Sequence, residues 1–370
     1  MSARAWWKWG ALPVSAGMML LAPAMHPGEK APRTVLRNKD GAARQTADSR
    51  SGISASSTAS VTAMASPWTG TASRLLFRAP ARPAGARVLT VRFGPGPGAY
   101  GVGQPLTARL SHPVPQGDRP ARAAIEQGLR VTSVPHAAGS WHWVDAQTLH
   151  FRPSSFWPAH AVITVHSLLG GVRITDSLYG GGSQPLRITT GDRIEAVTDV
   201  ARFSMTVYRN GQAVRTIPVT TGKDGYRTRT GIKIVLEKQP TIRMNGESIS
   251  IPKNSPDAYD LTVHHAVRVT WSGEYLHAAP WSADAHGREN VSHGCTGMST
   301  DNAAWLYNTL NPGDVIRVIN GPGPQMDAFD NGYGDWNLTW PQWQTGSTLP
   351  PPPATEHPST PTAPRIDPLL

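Results

Sequence analysis

The stretch Asn290-Val291-Ser292-His293-Gly294-Cys295-Thr296 decides how the rest of the chain is read. Cys295 is the only cysteine among 370 residues. A histidine stands two positions before it, and the glycine between them lets the backbone approach whatever the sulfur attacks. Upstream, the alternating run from Val267 to Leu276 reads as one strand, which predicts that His277 is presented from a rigid sheet edge. A lone cysteine with histidines in reach is a candidate nucleophile, its thiolate being the attacking species. The alternative is a buried, inert thiol; the flanking His-Gly pair and the upstream histidine favour the nucleophile.

Working outward, Thr300 to Leu310 has a capping residue and places Ala303, Leu306, Tyr307 and Leu310 at helical spacing. Asn311-Pro312-Gly313-Asp314 stops that helix, and Val315 to Ile319 predicts a closing strand. On the other side, Arg193 to Thr198, Arg202 to Tyr208 and Ala213 to Val219 read as strands, the last two joined by the hairpin signal Asn210-Gly211. Gly231 to Leu236 supplies another. Earlier still, Val88–Phe93, Leu106–Leu110, Leu129–Val134, Thr148–Phe151 and Ala161–Val165 are short runs punctuated by Pro and Gly, with no helical period. They predict an immunoglobulin-like β-sandwich over residues 85–190, with Trp141, Trp143 and Trp157 in its core. The fold class expected is therefore mainly β, with one or two short helices in the second domain.

Gly 36 and Pro 34 suit loop-rich β structure with unstructured ends. Residues 26–84 are expected to be a disordered linker and 347–370 a disordered proline-rich tail. Arg4 and Lys8 precede the apolar run Gly10 to Leu21 and the small residues Ala22-Pro23-Ala24, which predicts a secretory signal peptide or signal anchor over 1–25. The protein is expected to be exported, to the cell wall or the outer face of the plasma membrane. There an idle free thiol is a liability, which favours a working cysteine. The formal charge of +10 suits an anionic polymer or membrane surface, and no nucleic-acid-binding motif is present.

His277 followed at this spacing by Ser292-His293-Gly294-Cys295 resembles the L,D-transpeptidase catalytic domain, the YkuD-type fold, and the resemblance extends over 191–346. The preceding sandwich is similar to the immunoglobulin-like domain that such enzymes carry. Asp335-Trp336-Asn337 resembles a C-terminal extension that packs back on the catalytic domain in actinobacterial members. The resemblance implies that Cys295 attacks the carbonyl between the L-centre of diaminopimelate and the terminal D-alanine of a tetrapeptide stem. The amine of a second peptidoglycan stem then resolves the acyl-enzyme as a 3→3 cross-link. It also implies acylation by β-lactams, carbapenems above all, and neither cofactor nor metal.

The roles follow from the residues. A thiol titrating near ~8.5 needs a base. His277 is assigned that part and is expected to lower the thiol's pKa, with its ring oriented by the Ala278 backbone carbonyl. His293 is assigned to substrate binding and field stabilisation, and the N–H groups of Gly294 and Cys295 to the oxyanion. Tyr259 matches a lid tyrosine of the resembling enzymes; with Ser292, Asn290, Trp281 and Ala278 it forms the expected substrate-binding set. The chain departs from the family pattern at Thr296-Gly297, where an apolar residue and Asn are usual, and at Thr228-Arg229-Thr230-Gly231, which lacks a proline. Rival readings are a zinc site of His277, His293 and Cys295 with a water, a papain-like or L,D-carboxypeptidase-type hydrolase, and a wall-binding protein with a decayed site.

Overall fold

The computed structural model describes residues 83–350. The expected signal segment, nearly all of the expected linker and residues 351–370 lie outside them. None of the described helices is long and apolar enough to cross a membrane.

Period-two burial builds the first domain. Val91–Gly94, Leu106–Leu110, Thr148–Pro153 and Gly139–Trp143 lie side by side in one sheet. Gly98–Tyr100, Leu186–Thr190, Val162–Ser167 and Leu129–Val134 form the other. Trp141, Trp143 and Trp157 are buried between or beside them, each indole N–H finding an acceptor on Leu129, Glu126 or Gln104. The expected strand over Val88–Phe93 is two strands. Arg87–Leu89 pairs with Leu178–Gly180, and the chain changes sheets at Thr90, whose N–H bonds the Ser111 hydroxyl.

A helix at Arg119–Gly128 corrects the expectation of no helical period here. Its buried face is Ala121, Arg122, Ile125 and Glu126, so two of four core-facing positions are charged and the apolar stripe is hidden. Arg122 donates to the Val114 carbonyl and covers the Trp143 ring at 4.3 Å, while Glu126 accepts from the Trp143 indole at 2.8 Å. Asp118 caps the helix by accepting from the Ala121 N–H.

The second domain packs two sheets face to face. One runs in the order Gln212–Pro218, Ser204–Arg209, Ile194–Asp199, Val315–Ile319, Gly231–Ile234, and the other Glu237–Asn245, Asp260–Arg268, Tyr275–Ala278, Thr296–Met298. Ala196, Met205, Val207, Ile217, Val267, Leu276, Met298, Leu306 and Ile316 fill the space between them. A large aliphatic side chain buried in this way contributes about 1.5–3 kcal/mol. Asn210 and Gly211 both take positive φ, 51° and 85°, as a two-residue hairpin of the primed type requires. Ser299 caps the helix Thr300–Thr309.

The run from Val267 to Leu276 is not one strand. It is the end of Asp260–Arg268, a turn with Gly273 at φ +105°, and the start of Tyr275–Ala278. Buried Thr270 and exposed Trp271 carry the alternation through the turn and disguise it. His277 therefore stands on an inner strand, paired with the 260–268 strand on one side and Thr296–Met298 on the other.

The C-terminal extension packs back on the catalytic domain and binds the sandwich as well. Asn337 brackets Ile232, accepting from its N–H at 2.7 Å and donating to its carbonyl at 2.8 Å. Asp335 meets His150 of the sandwich at 2.7 Å, and the Trp336 indole donates to the Gly103 carbonyl. Arg152 lies over the rings of Trp336 and Trp343, at 4.8 and 4.6 Å, and Trp343 is wholly buried. Ser347 and Thr348, expected in the disordered tail, bond the Glu126 carboxylate, because that buried acid needs donors beyond its own helix.

Candidate active site

The loop before Cys295 is set by side chains that bond backbone. Asn290 accepts from the Thr221 N–H and hydroxyl at 2.9 and 2.7 Å and donates to the Val200 carbonyl. Both ends of its amide are thus committed to the loop, and the expected role in substrate binding is corrected to a structural one. The Ser292 hydroxyl donates to the Cys295 carbonyl at 2.6 Å and accepts from the Gly294 N–H at 3.1 Å. It staples the turn, although Ser292 also borders the cavity below. The Gly294 N–H is therefore already engaged, which leaves the Cys295 N–H as the oxyanion donor of the expected pair. Gly294 takes φ +118°, a conformation that favours glycine, and its carbonyl accepts from the Thr228 hydroxyl.

Parallel pairing sets His277 opposite Gly297, so the catalytic loop and the histidine strand are in fixed register. The His277 Nδ1 lies 2.7 Å from the Ala278 carbonyl, an atom that can only accept. Nδ1 thus carries the proton, and Nε2 is the lone-pair nitrogen of the neutral ring. Burial, with a smaller contribution from His286, pulls the His277 pKa below its ordinary value. The Ala278 side chain is packed in the core, so this residue meets the site through its carbonyl, which orients the His277 ring. Trp281 is half exposed and stacks on His277, ring centres 5.9 Å apart.

His277, Cys295, Tyr259, Trp281, Ser292 and His293 share a cavity of about 250 Å³, floored by Met244, Leu261 and Val263. The Sγ atom is 3.6 Å from the Gly273 carbonyl and receives the Tyr275 backbone N–H. Cys295 keeps partial contact with the cavity while protein atoms crowd its sulfur. Burial pushes the thiol up to about 12; the Tyr275 N–H opposes this, Glu274 adds to it, and Lys233 opposes it. His277 is not among the groups that shift the thiol, so the expected lowering has no counterpart in these effects. Both shifts favour the uncharged forms, a thiol and an imidazole lining one cavity.

His293 is clasped by two tyrosines, Tyr226 edge-on at 4.7 Å and Tyr259 stacked at 5.0 Å. Its Nε2 faces Asp257 at 3.6 Å, which also takes Lys223 at 2.5 Å and the Tyr226 hydroxyl at 3.3 Å. Asp257 and Tyr259, on the segment leading into the Asp260–Arg268 strand, are thereby fastened to the catalytic loop. Burial holds the Tyr259 hydroxyl uncharged, its pKa raised to about 12. A second cavity, of about 630 Å³, opens on the far side of His293-Gly294 and is lined by Tyr226, Arg227, Arg229, Ser272 and Glu274 among others.

Gly297 sits where a side chain does not fit. A Cβ there would stand 2.9 Å from the Ala279 Cβ and 3.1 Å from the Thr220 Cγ2. Thr220 and Gly297 also exchange both backbone hydrogen bonds at 2.9 Å. No three His, Cys, Asp or Glu side chains among the described residues converge to hold a metal ion, so the zinc arrangement of His277, His293 and Cys295 lacks the geometry it needs. Sequence reasoning missed Lys233, Glu274 and Asp257. A lysine in an alternating run signals a solvent-facing position, and Glu274 lay inside what read as a plain strand.

Residues 193–318 match the L,D-transpeptidase catalytic domain (YkuD), and residues 42–173 match a bacterial Ig domain. The latter match reaches into the expected linker, over residues that mostly lie outside the described ones. L,D-transpeptidase 2 of Mycobacterium tuberculosis is 34% identical over 254 residues, 68% of this chain and 61% of that protein; the chain thus spans less than two thirds of that relative's length. L,D-transpeptidase 1 of the same species is 36% identical over 219 residues, 59% of this chain and 80% of that protein. A solved structure of an LD transpeptidase in complex with imipenem aligns at 35% identity and a TM-score of 0.54, over 62% of this chain and 99% of that one. With a histidine strand and a cysteine loop in register, and these alignments across both domains, the chain belongs to the L,D-transpeptidases, carrying a bacterial Ig domain N-terminal to its catalytic domain.

Proposed function

We propose that the protein is a peptidoglycan L,D-transpeptidase working through a Cys295 acyl-enzyme. The observation that carries this is the single cavity wall shared by the Cys295 thiol and His277, whose Nδ1 is tied to a carbonyl and whose Nε2 is the basic nitrogen. As Sγ attacks the carbonyl before the terminal D-alanine of a tetrapeptide donor, Nε2 takes the thiol proton. The Cys295 N–H meets the oxyanion, and the proton passes to the departing amine of D-alanine. The amine of a second stem, entering by the cleft on the far side of His293-Gly294, then displaces the sulfur and forms a 3→3 cross-link. Tyr259 and Trp281 cover the thioester and exclude water, so that amine competes with hydrolysis.

A strained β-lactam amide would be opened by the same sulfur, and the imipenem complex of a related enzyme supports that reading. The work would be done outside the cytoplasm, at a wall or membrane face whose anionic polymer matches the charge of +10. Incubation with disaccharide-tetrapeptide, followed by mass measurement, tests it. The expected product is a dimer lighter than two stems by one D-alanine, absent with Cys295→Ala. Tripeptide alone would mean a carboxypeptidase, and unchanged substrate a decayed site.

A further inference from the structure

Lys233 is a buried amine that this reaction leaves unused, its pKa pulled down by burial and held up by Glu274. It is 1% exposed, on the edge strand Gly231–Ile234, where alternation sends Ile234 into the apolar cluster shared with the sandwich and Lys233 the opposite way. Its Nζ pairs with one oxygen of Glu274, and the other oxygen accepts from the Arg229 guanidinium and the Arg229 N–H, each at 3.1 Å. Glu274 is itself buried. An apolar pair of equal volume would hold a sheet edge at least as well, so packing does not account for the ions.

Their place does. The two neighbours of Glu274 in the chain both touch the nucleophile: the Gly273 carbonyl lies 3.6 Å from Sγ, and the Tyr275 N–H points at it. The Glu274 Cγ is 3.8 Å from where a Cβ on Gly294 would stand. The other titratable groups facing the sulfur, His277, Tyr259 and Tyr275, are kept uncharged by burial, while Lys223 and Asp257 attend His293. Two cations meet this one carboxylate, and both Lys233 and Glu274 act on the thiol through space, Glu274 raising its pKa and Lys233 lowering it.

We propose that Lys233, Glu274 and Arg229 are positioning residues for the reaction at Cys295: Lys233 supplies the cation that balances the sulfur once its proton has gone, and Glu274 neutralises that cation until then. The proposal rests on Cys295 being the nucleophile, and its test needs no stem peptide. Iodoacetamide alkylation of Cys295 is followed at pH 8 by intact mass, with thermal unfolding as the check on folding. Far below a thiol's pKa, a change of one pH unit in that pKa is about tenfold in thiolate. Glu274→Gln, isosteric and still able to accept from Lys233, is expected to alkylate about tenfold faster than wild type. Lys233→Met added to Glu274→Gln is expected to lose that gain, and this double variant strands no buried charge. Glu274→Asp, which keeps the ion pair but draws the carboxylate back, moves the rate the same way by less and serves if Glu274→Gln does not fold. Rates for Glu274→Gln within about twofold of wild type, or a double variant as fast as the single, overturn the proposal. Tetrapeptide turnover lost while this order of rates survives would sink only the transpeptidase reading.

Discussion

At the residue scale, acid–base matching at Cys295 is achieved by opposed burial effects. Burial raises the thiol and lowers the imidazole, which favours the uncharged form of each. His277 must be neutral to accept a proton, and its lowered pKa keeps it so at pH values where a free histidine is already charged. The acid limb of kcat/KM on tetrapeptide is therefore expected below the ordinary imidazole value of about 6.5, and an initial-rate profile checks it. His277→Gln is expected to slow acylation by about 10²–10⁴-fold while leaving the protein folded. Gly297 carries the second prediction at this scale. Its φ is not positive, so the constraint is space: the Ala279 and Thr220 side chains leave no room for even a methyl group. Gly297→Asn is expected to cost about 1–3 kcal/mol in stability and to slow turnover, since it parts Thr296–Met298 from its neighbours. A variant faster on tetrapeptide and equally stable to heat would refute this account.

At the scale of elements, the turn Asn311–Asp314 joins the helix to the closing strand and also docks on the sandwich. The Pro312 and Gly313 carbonyls accept from Gly101 and Gly103 at 2.8 and 2.9 Å. Asp314 is buried in this junction, accepting from the Asn311 N–H at 2.7 Å, and burial pushes its pKa up to about 7. The folded state therefore holds a proton that the unfolded chain gives up near its ordinary 3.8. The stabilising effect of that proton is complete below about 4 and is lost as pH rises through about 7. Asp314→Asn, which keeps an acceptor and carries no charge, is expected to raise Tm at pH 8 and to lose that advantage near pH 4. Equal Tm differences at both pH values would show that Asp314 does not titrate on unfolding.

At the scale of the molecule, the extension from Asp335 to Leu349 couples the two domains. It anchors on the catalytic sheet through Asn337 and on the sandwich through Asp335, Trp336, Trp343 and Thr348. Trp343 is the largest part of that anchor, wholly buried with its indole bonded to the Ser140 carbonyl. Removing such a side chain costs about 3–5 kcal/mol, charged here to the contact between domains. Calorimetry is expected to show one cooperative transition for the wild type and two for Trp343→Ala, with the catalytic domain melting at its own temperature. A single transition merely shifted downward would mean that the domains are coupled elsewhere.

What the sequence determined by itself was local. Asn210-Gly211 dictates a hairpin because few other pairs accept positive φ twice running, and His277 with Ser292-His293-Gly294-Cys295 marks the chemistry because so few residue types can perform it. The orienting carbonyl of Ala278 was legible too, since its side chain offers nothing else. Only the tertiary structure decided the remainder. Whether Lys233 meets water or Glu274, forty-one positions away, depends on how two sheets face each other, and an alternating pattern carries no record of the opposite face. The helix Arg119–Gly128 was hidden because Arg122 and Glu126 can be buried only where Trp143 and the Val114 carbonyl receive them. The Gly294 N–H, free by sequence, was claimed by a serine two residues away once the turn closed. In each case the deciding interaction was a polar contact made by folding, and the cost of burying polar groups unpaired is what places those residues.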